Sequence, residues 1–293
     1  MLEESKVSIL IVTHNSYPDI KITIDSIVAN IINVDYEIIL VDNNSNEKDI
    51  LDFLEDQSKI SNIRVVPLNV NLGFGRANNL AFSLASYENI LILNPDIIFD
   101  ANSEQNILKL IKFVEQDDRV GAVSPVLLKP NGKIDKNYHY EIKLFHTLVK
   151  RFKKILFKDK SNEEYLPSNT LTKVSSLAGA FILIKSRNYE LIKGFDESYF
   201  MYSEDIDFSL KLRSYGLDLY LFSDLFFNHN VGSSSRKKQY RMIYEMYKST
   251  AQLFFKWKIS KFFKKTLLFI IATPFVIIEL LIRSIKRNKN VSD

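Results

Sequence analysis

Apolar and polar positions along this chain form short runs separated by stretches of helical spacing. Short β-branched runs bounded by turn residues predict strands buried on both faces of a sheet. These runs stand at residues 7–12, 36–41, 63–67 and 90–93. Helical spacing of apolar residues occurs between them, at residues 20–31, 50–54 and 77–85. Strands that alternate with helices predict an α/β fold with a mainly parallel sheet flanked by helices.

The second half continues with further elements and one ambiguous segment. A strand is predicted at 120–128, a small-residue turn and strand at 175–185, and a helix at 205–215. Residues 144–157 have the pattern of an amphipathic helix with a basic polar face, followed by a polar loop at 161–170. Such a helix fits either packing on the protein surface or lying in a membrane interface.

Polar clusters follow three of the predicted strands. The sequence reads THNS after the first strand, DNNS after the second and NPD after the strand at 90–93. Each cluster alone is typical of a turn. Because ligands of parallel sheets bind beyond the carboxyl ends of the strands, we expect the three clusters to share one sheet edge and to form a site.

Composition sets the class of protein. The 293 residues are 46% hydrophobic, enough for a large core. The absence of cysteine excludes disulfides, thiolate metal sites and cysteine nucleophiles, and favours a reducing cytoplasm. No secretory signal is expected, because acidic residues and no basic region precede the first apolar run.

Charge divides the chain unevenly. Residues 231–293 hold 14 of the 39 basic residues but 3 of the 35 acidic ones. Residues 266–282 are apolar, marginal for spanning a bilayer core of ~30 Å, and flanked by basic residues at both ends. We therefore predict a globular domain at 1–235 and a basic hydrophobic helical tail at 236–293. The tail is expected to lie in the membrane interface rather than to bind nucleic acid, with a true membrane span or a soluble packing helix at 266–282 as the alternatives.

Several polar residues could carry chemistry at the predicted edge. Asp42 can accept a hydrogen bond from the ring N–H of a pyrimidine base. Asp96 can bind a divalent cation, which a diphosphate ligand would help to coordinate. Gly73 and Gly75 lie in the loop NLGFGRANN, where the backbone could approach a ligand closely.

The segment FDESYFMYSEDIDF supplies a second acidic patch. Glu204 and Asp205 stand where a helix should begin, so they could simply complement the helix dipole. They could instead act in catalysis, with Asp205 as a general base. His229 follows an apolar run and fits either a structural role or a metal ligand.

Together, these stretches resemble the family-2 glycosyltransferases, inverting enzymes with the GT-A fold, over about residues 6–235. The resemblance rests on VSILIVTHNS, ILVDNNS, NLGFGRANN, LNPD, the AGAF segment with its Glu-Asp pair, and HNVGSS. It implies nucleotide-sugar contacts from Thr13, His14, Asn15, Asp42, Asn43, Asn71, Gly73, Gly75, Asn78 and Asn94. It further implies a divalent cation on Asp96 and His229, catalysis by Asp205 with Glu204, and an acceptor channel lined by Gly179 and Ala180.

The Asn-Pro-Asp motif is similar to that of the rhamnosyltransferase-like branch, which implies dTDP-rhamnose as donor. Asn94 stands where the simpler family pattern has a first carboxylate, which should weaken metal binding without nucleotide. A UDP-sugar remains an alternative donor, since Asp42 would read the same ring edge. The implied acceptor is a lipid-linked or polysaccharide glycan at the cytoplasmic face of the membrane.

Two other functions remain open from the sequence. Asn94 is compatible with an inactive, membrane-bound scaffold of the same fold. A nucleotidyltransferase would also be α/β and metal-dependent, but it should carry a basic, glycine-rich loop where this chain has VTHNSYPD.

Overall fold

A computed structural model describes residues 5–140, 169–230 and 239–258, with the isolated helical positions 274 and 277. The strands are β1 Lys6–Thr13, β2 Asp35–Asp42, β3 Ile63–Pro67, β4 Asn89–Leu93, β5 Ile97–Ile98, β6 Val120–Leu128, β7 Ile134–Asp135, β8 Tyr138–His139, β9 Leu171–Val174, β10 Ser176–Leu177, β11 Phe181–Lys185 and β12 Asp218–His229. The helices are α1 Asp19–Asn30, α2 Ile50–Ser58, α3 Phe74–Phe82, α4 Ser103–Gln116, α5 Ser186–Leu191, α6 Glu204–Ser214 and α7 Gln239–Lys258.

One large sheet organises the domain, in the order β3-β2-β1-β4-β11-β6-β12-β5. The first four strands run parallel, whereas β11 is antiparallel to both of its neighbours. Thr13 pairs with Asp42, and Ile11 pairs with Leu93. The polar clusters that follow β1, β2 and β4 therefore share one edge of the sheet, as predicted.

Apolar side chains cover both faces of this sheet, which explains the uninterrupted apolar runs. In β1, Ile9 and Ile11 belong to one core cluster and Leu10 and Val12 to the other. Successive side chains of a strand point to opposite faces, so one short run contributes to both cores.

Three helices differ most from the sequence prediction, and one of them is the short α5, which was not predicted. α3 begins at Phe74, three residues before the predicted start, so Gly75 lies inside the helix rather than in the loop. α4 was not predicted, although its buried residues follow helical spacing: Ile107, Leu110, Ile111 and Val114. The missed signal is an ordinary amphipathic face that ends in polar residues at both termini.

Parts of the predicted outline lie outside the described residues. These are the amphipathic helix at 144–157, most of the polar loop at 161–170 and the apolar segment at 266–282. The described start of the predicted tail forms α7, which packs on the domain through Leu253, Phe254 and Trp257. Within the described residues, no helix combines the length and apolar character needed to cross a membrane.

Candidate active site

The loops after β1 and β2 are joined by their own polar groups. The backbone N–H of Asn43 donates to the carbonyl of Thr13 at 2.8 Å. The Asp42 carboxylate is 3% exposed and accepts from the backbone N–H of Ser45 at 3.2 Å. This turn fixes Asp42 at the carboxyl end of β2, where the sequence analysis placed a base-binding group.

Asparagine occurs in these loops where the backbone turns left-handed. Asn15 has φ 54° and Asn44 has φ 64°, a region that asparagine tolerates better than most residues. Asn15 receives the backbone N–H of Asn46 at 2.9 Å on its side-chain oxygen and donates its own backbone N–H to Ser45 Oγ at 2.9 Å. Its side chain thus holds two loops together. Contact with a ligand stays a prediction for it and for the neighbouring His14.

Asn43 joins the same edge to the loop before α3. Its side-chain nitrogen donates to Asn71 Oδ1 at 3.0 Å and to the carbonyl of Gly73 at 3.3 Å, and its oxygen accepts from Leu72 N at 2.8 Å. The residue is 3% exposed. Asn43 and Asn71 are therefore bound to each other, and these bonds join the loop after β2 to the loop before α3.

Gly73, Gly75 and Asn78 also serve the protein's own packing. A Cβ on Gly73, which has φ +85°, would lie 2.2 Å from the carbonyl oxygen of Phe200, and one on Gly75 would lie 3.0 Å from Phe195 Cβ. Asn78 is 1% exposed and donates to the carbonyl of Phe74. The glycines admit the segment at 195–200, and their contact with a ligand stays a prediction.

The Asn94-Pro95-Asp96 turn is held by three different parts of the fold. Asn94 N donates to the carbonyl of Ala180 at 2.9 Å, and Thr23 Oγ1 donates to the carbonyl of Pro95 at 2.8 Å. The carbonyl of Asp96 accepts from Asn230 N at 2.8 Å. These bonds leave the Asp96 carboxylate aimed at the end of β12.

His229 lies between two carboxylates, as its predicted pairing with Asp96 required. Its Nε2 is 3.1 Å from Asp96 Oδ1, and its Nδ1 is 2.7 Å from Asp135 Oδ2. Burial disfavours the imidazolium, but the bonds to Asp135 and Asp96 outweigh it and raise the pKa of His229 to about 9. The bond from His229 in turn holds the pKa of Asp135 below its usual range, despite partial burial.

Asp135 is a residue of the candidate site that the sequence analysis did not select. It lies on the two-residue strand β7, far from His229 along the chain, and no motif marks it. Asp135 also forms a salt bridge with Lys129, whose Nζ is 3.4 Å from Asp135 Oδ1. A carboxylate on the second nitrogen of a histidine fixes the ring orientation of metal-binding histidines.

A divalent cation fits the chemistry of this pair. Carboxylate oxygen and imidazole nitrogen suit Mn²⁺, and Asp96 Oδ1 and His229 Nε2 already face each other. A cation bound to both would replace the proton between them. The described residues contain no group of three or more Asp, Glu or His side chains arranged for a metal, so a diphosphate would have to complete the coordination.

Asp205 lies beside the small residues predicted to line the acceptor channel. Its Oδ2 accepts from Gly179 N at 3.4 Å, and its Oδ1 accepts from the N–H of Ile206 at 2.7 Å in the first turn of α6. A Cβ on Gly179 would lie 2.9 Å from Phe74 Cε1, so a larger residue there would displace the Phe74 ring. Since Ala180 bonds Asn94, a short path of backbone joins Asp205 to the Asn94–Asp96 turn.

Glu204 is buried next to Asp205. It is 7% exposed, and its Oε2 has no hydrogen-bond partner among the described residues. Burial, with a contribution from the neighbouring Asp205 charge, raises the pKa of Glu204 well above its ordinary range. Glu204 therefore favours the protonated form, whereas Asp205 is partly exposed and bonded to N–H groups.

The distances across the edge suit a nucleoside diphosphate. β1 separates β2 from β4, so Asp42 and the Asn94–Asp96 turn lie about two strand spacings, or ~10 Å, apart. A pyrimidine at Asp42 would place its diphosphate near Asp96 and His229. The described edge thus carries Asp42 at one end, the Asp96–His229 pair in the middle and Asp205 beyond it.

Comparison with known proteins agrees with this arrangement. The model of "Glycosyl transferase family 2" matches residues 8–181. Rhamnosyltransferase WbbL of Escherichia coli K12 is 31% identical over 182 residues, which are 58% of this chain and 66% of that protein. N-acetylglucosaminyl-diphospho-decaprenol L-rhamnosyltransferase of Mycobacterium tuberculosis is 26% identical over 193 residues, 60% of this chain and 61% of the relative. The matched region thus spans slightly less than two thirds of each curated relative.

A solved structure shares the fold. The mannosyltransferase PcManGT of Pyrobaculum calidifontis, in complex with GDP-Man and Mn²⁺, superposes with a TM-score of 0.60 at 17% identity. The superposition covers 96% of this chain and 75% of that one. This likeness confirms the predicted α/β architecture of the GT-A type.

Proposed function

The chain belongs to glycosyl transferase family 2, and on that premise we propose that it is a metal-dependent, inverting glycosyltransferase. It moves a sugar from a nucleoside diphosphate donor to an acceptor hydroxyl. The placement of Asp205 carries this proposal: its carboxylate contacts Gly179, and Ala180 contacts the Asn94–Asp96 turn. The proposed proton acceptor, in the first turn of α6, is thus linked through Gly179 and Ala180 to the turn that carries Asp96.

The donor is held by the loops after β1 and β2. Asp42 accepts the ring N–H of the base, and the interlinked loops keep it at the carboxyl end of β2 without rearrangement. Because the loops are already ordered by their own hydrogen bonds, little conformational entropy is lost when the nucleotide binds. Thr13, whose buried Oγ1 has no partner among the described residues, is available to the ligand at this edge.

Asp205 removes the proton from the acceptor hydroxyl as its oxygen attacks the anomeric carbon. The bond from that carbon to the diphosphate oxygen breaks on the opposite face, so the configuration inverts in one displacement. A cation held by Asp96 and His229 would neutralise the charge that grows on the departing diphosphate. Glu204, protonated and buried, keeps a second negative charge away from Asp205 and orients the acceptor.

The proposed donor is dTDP-rhamnose, from which L-rhamnose is transferred. Both curated relatives described above are named as rhamnosyltransferases, and the Asn-Pro-Asp motif supports the same choice. A UDP-linked hexose, N-acetylhexosamine or galactofuranose is the alternative, since Asp42 would bind uracil and thymine alike. The inactive scaffold is the remaining candidate and predicts no nucleotide binding at all.

A lipid-linked glycan at the cytoplasmic face of the membrane is the proposed acceptor. The mycobacterial relative is named for a diphospho-decaprenol acceptor, and the basic apolar segment after α7 would bring this site to such a substrate. The protein would then be peripheral or monotopic, held by residues 259–293.

A thermal-shift panel with dTDP, UDP, GDP and CDP, each with and without Mn²⁺, tests the donor. A ligand at 100 times its Kd adds ~2.7 kcal/mol to the free energy of unfolding. We expect a Mn²⁺-dependent shift with dTDP, followed by transfer of rhamnose from dTDP-rhamnose to a polyprenyl-diphosphate glycan. A shift with UDP alone would indicate a UDP-linked sugar as donor. No shift with any nucleotide would favour the inactive scaffold.

Co-sedimentation with anionic liposomes tests the membrane proposal. Deleting residues 259–293 keeps α7, which packs on the domain, and removes the basic apolar segment. The truncated protein should stay in the supernatant while the full chain sediments. Equal sedimentation of both proteins would show that the tail is not the membrane anchor.

A further inference from the structure

Helix α7 is bound to the segment that leads into the catalytic helix. Four of its residues, at positions 249, 252, 256 and 257, contact the segment 196–207. Their spacing places them on one face of α7. The sequence analysis assigned this helix to the tail, yet its polar contacts are made with the active-site side of the domain.

The centre of this contact is Asp207, two residues after Asp205. It is 0% exposed, and both carboxylate oxygens are bound by α7. Trp257 Nε1 donates to Oδ1 at 2.7 Å, and Lys256 Nζ donates to Oδ2 at 2.8 Å. Asp207 is the fourth residue of α6, which begins at Glu204, so these bonds tie the first turn of the helix to α7.

Lys256 also reaches the beginning of the same segment. Its Nζ is 2.6 Å from Asp196 Oδ2, and Asp196 Oδ1 accepts from Ser198 N and Oγ. Although burial opposes ionisation, the bonds from Lys256 and Ser198 bring the pKa of Asp196 to about 2. One ammonium group therefore ties both ends of the segment 196–207 together.

The backbone between those ends is unusual. Tyr202 and Ser203 both have positive φ, 69° and 66°, immediately before Glu204. Left-handed conformations of such residues persist only where the surroundings hold them. Ser249 Oγ of α7 donates to the carbonyl of Met201 at 2.8 Å, directly before this pair.

Stability alone is a weak reason for a buried ion pair at this place. Taking charges out of water costs free energy, and well-packed apolar residues often replace such pairs without loss of stability. A network in which each carboxylate oxygen has a partner instead favours one arrangement of the groups it joins. In this protein, the network joins the left-handed pair Tyr202–Ser203 to the first turn of α6.

We propose that Lys256 and Trp257 are positioning residues that hold Asp205 and Glu204 in place through Asp207. The consequence for catalysis rests on the proposed role of Asp205, whereas the ordering of the segment does not. In this arrangement α7 is part of the catalytic unit, although it lies beyond the family match that ends at residue 181.

The test uses the full chain and two conservative variants. Trp257→Phe removes the indole N–H and keeps an aromatic ring, and Lys256→Met removes the charge and keeps an unbranched side chain. Lys256→Arg is the rescue variant. Lys248→Met is the matched control, because Lys248 lies on the same helix and pairs with Glu245 instead.

Hydrogen exchange measures the ordering directly, without any substrate. Amides of residues 198–206 should exchange at least about ten-fold faster in both variants, while β1 and β2 stay as protected as in the native protein. Lys256→Arg and Lys248→Met should behave like the native protein. Unchanged exchange at 198–206, or a uniform rise over the whole domain, would overturn the positioning role.

Kinetics then measure the consequence. Small misplacement of a catalytic group costs up to about 100-fold in rate, so kcat should fall ~10- to 100-fold in Trp257→Phe and Lys256→Met. KM for the donor should change less than kcat, because hydrogen bonds within the loops after β1 and β2 hold Asp42, and only the loop at Gly73 touches the loosened segment. A raised KM with native kcat would overturn the proposal. If the native protein transferred no sugar, the exchange result would still decide the ordering.

Discussion

The donor side and the catalytic side of this protein are held in place by different means. On the donor side, short neutral side chains bind nearby backbone groups, as Asn15 and Asn43 do between loops of the parallel strands. On the catalytic side, charged groups pair across long stretches of chain: Lys256 binds Asp207, and His229 binds Asp96 and Asp135. The donor side is therefore ordered by neutral hydrogen bonds between its loops. The catalytic side depends on a few contacts between charged groups.

This difference has consequences for how each side fails. A neutral hydrogen bond in a loop contributes modestly, and its loss is felt mainly as lost stability. Buried charged groups shift one another's pKa, so a change there alters protonation and geometry together. Mutations on the donor side should lower stability and nucleotide binding, whereas those on the catalytic side should lower turnover.

The largest expected effect is the loss of turnover in Asp205→Asn. The amide keeps the shape but cannot take the acceptor proton, so kcat should fall about 10²- to 10⁴-fold. Binding of the nucleoside diphosphate, measured by calorimetry, should equal that of the native protein. A variant that keeps native kcat, or that loses nucleotide binding, would contradict the proposal that Asp205 acts in turnover and not in donor binding.

Asn43→Asp tests the donor side. The new carboxylate would face Asn71 Oδ1 and the Gly73 carbonyl without a proton to donate, so the free energy of unfolding should fall by about 2 to 4 kcal/mol. Urea unfolding measures this change. Asn46→Asp in the same turn is the control, since Asn46 is exposed and should change stability by less than about 0.5 kcal/mol. Equal effects in the two variants would contradict the structural role of Asn43.

Asp135→Asn tests the contact behind His229. Losing the carboxylate weakens the hold on the imidazole, and affinity for Mn²⁺ in the presence of nucleoside diphosphate should fall about 10- to 100-fold. Electron paramagnetic resonance of the unbound Mn²⁺ gives the affinity directly. Asp118→Asn is the control, because the Asp118 carboxylate is exposed. Native Mn²⁺ affinity in Asp135→Asn would show that Asp135 does not contribute to the metal site.

Glu204→Gln should give the smallest effect, and its sign is unusual. The folded state raises the pKa of Glu204 above its ordinary 4.5, so the native chain loses stability as pH rises through and beyond that value. The Gln variant is free of this loss and should unfold at a higher temperature, with a gain of about 1 kcal/mol at pH 8. At pH 4 the gain should vanish. A gain independent of pH would assign it to packing, for which the exposed Glu190→Gln is the reference.

The sequence determined the parallel half of the fold and the polar edge of its sheet. Residues 63–67 and 120–128 were predicted with the bounds that the strands have, since short apolar runs bordered by polar residues are a local signal. Asp42, Asp96, Asp205 and His229 were selected from local patterns and from the resemblance that those patterns support. The placement of Asp42 and Asp96 at one edge of the sheet follows from the parallel order of β1, β2 and β4.

Only the tertiary structure decided what lies behind those residues. Asp135 joins His229 from a two-residue strand, and Lys256 and Trp257 join Asp207 from a helix that the sequence analysis counted as tail. The structure also shows that Gly73 makes room for the carbonyl of Phe200, which no local pattern indicated. Periodicity and turn chemistry record only neighbours along the chain, whereas these contacts join residues far apart in sequence, and a buried charge reveals its partner only once the chain has folded.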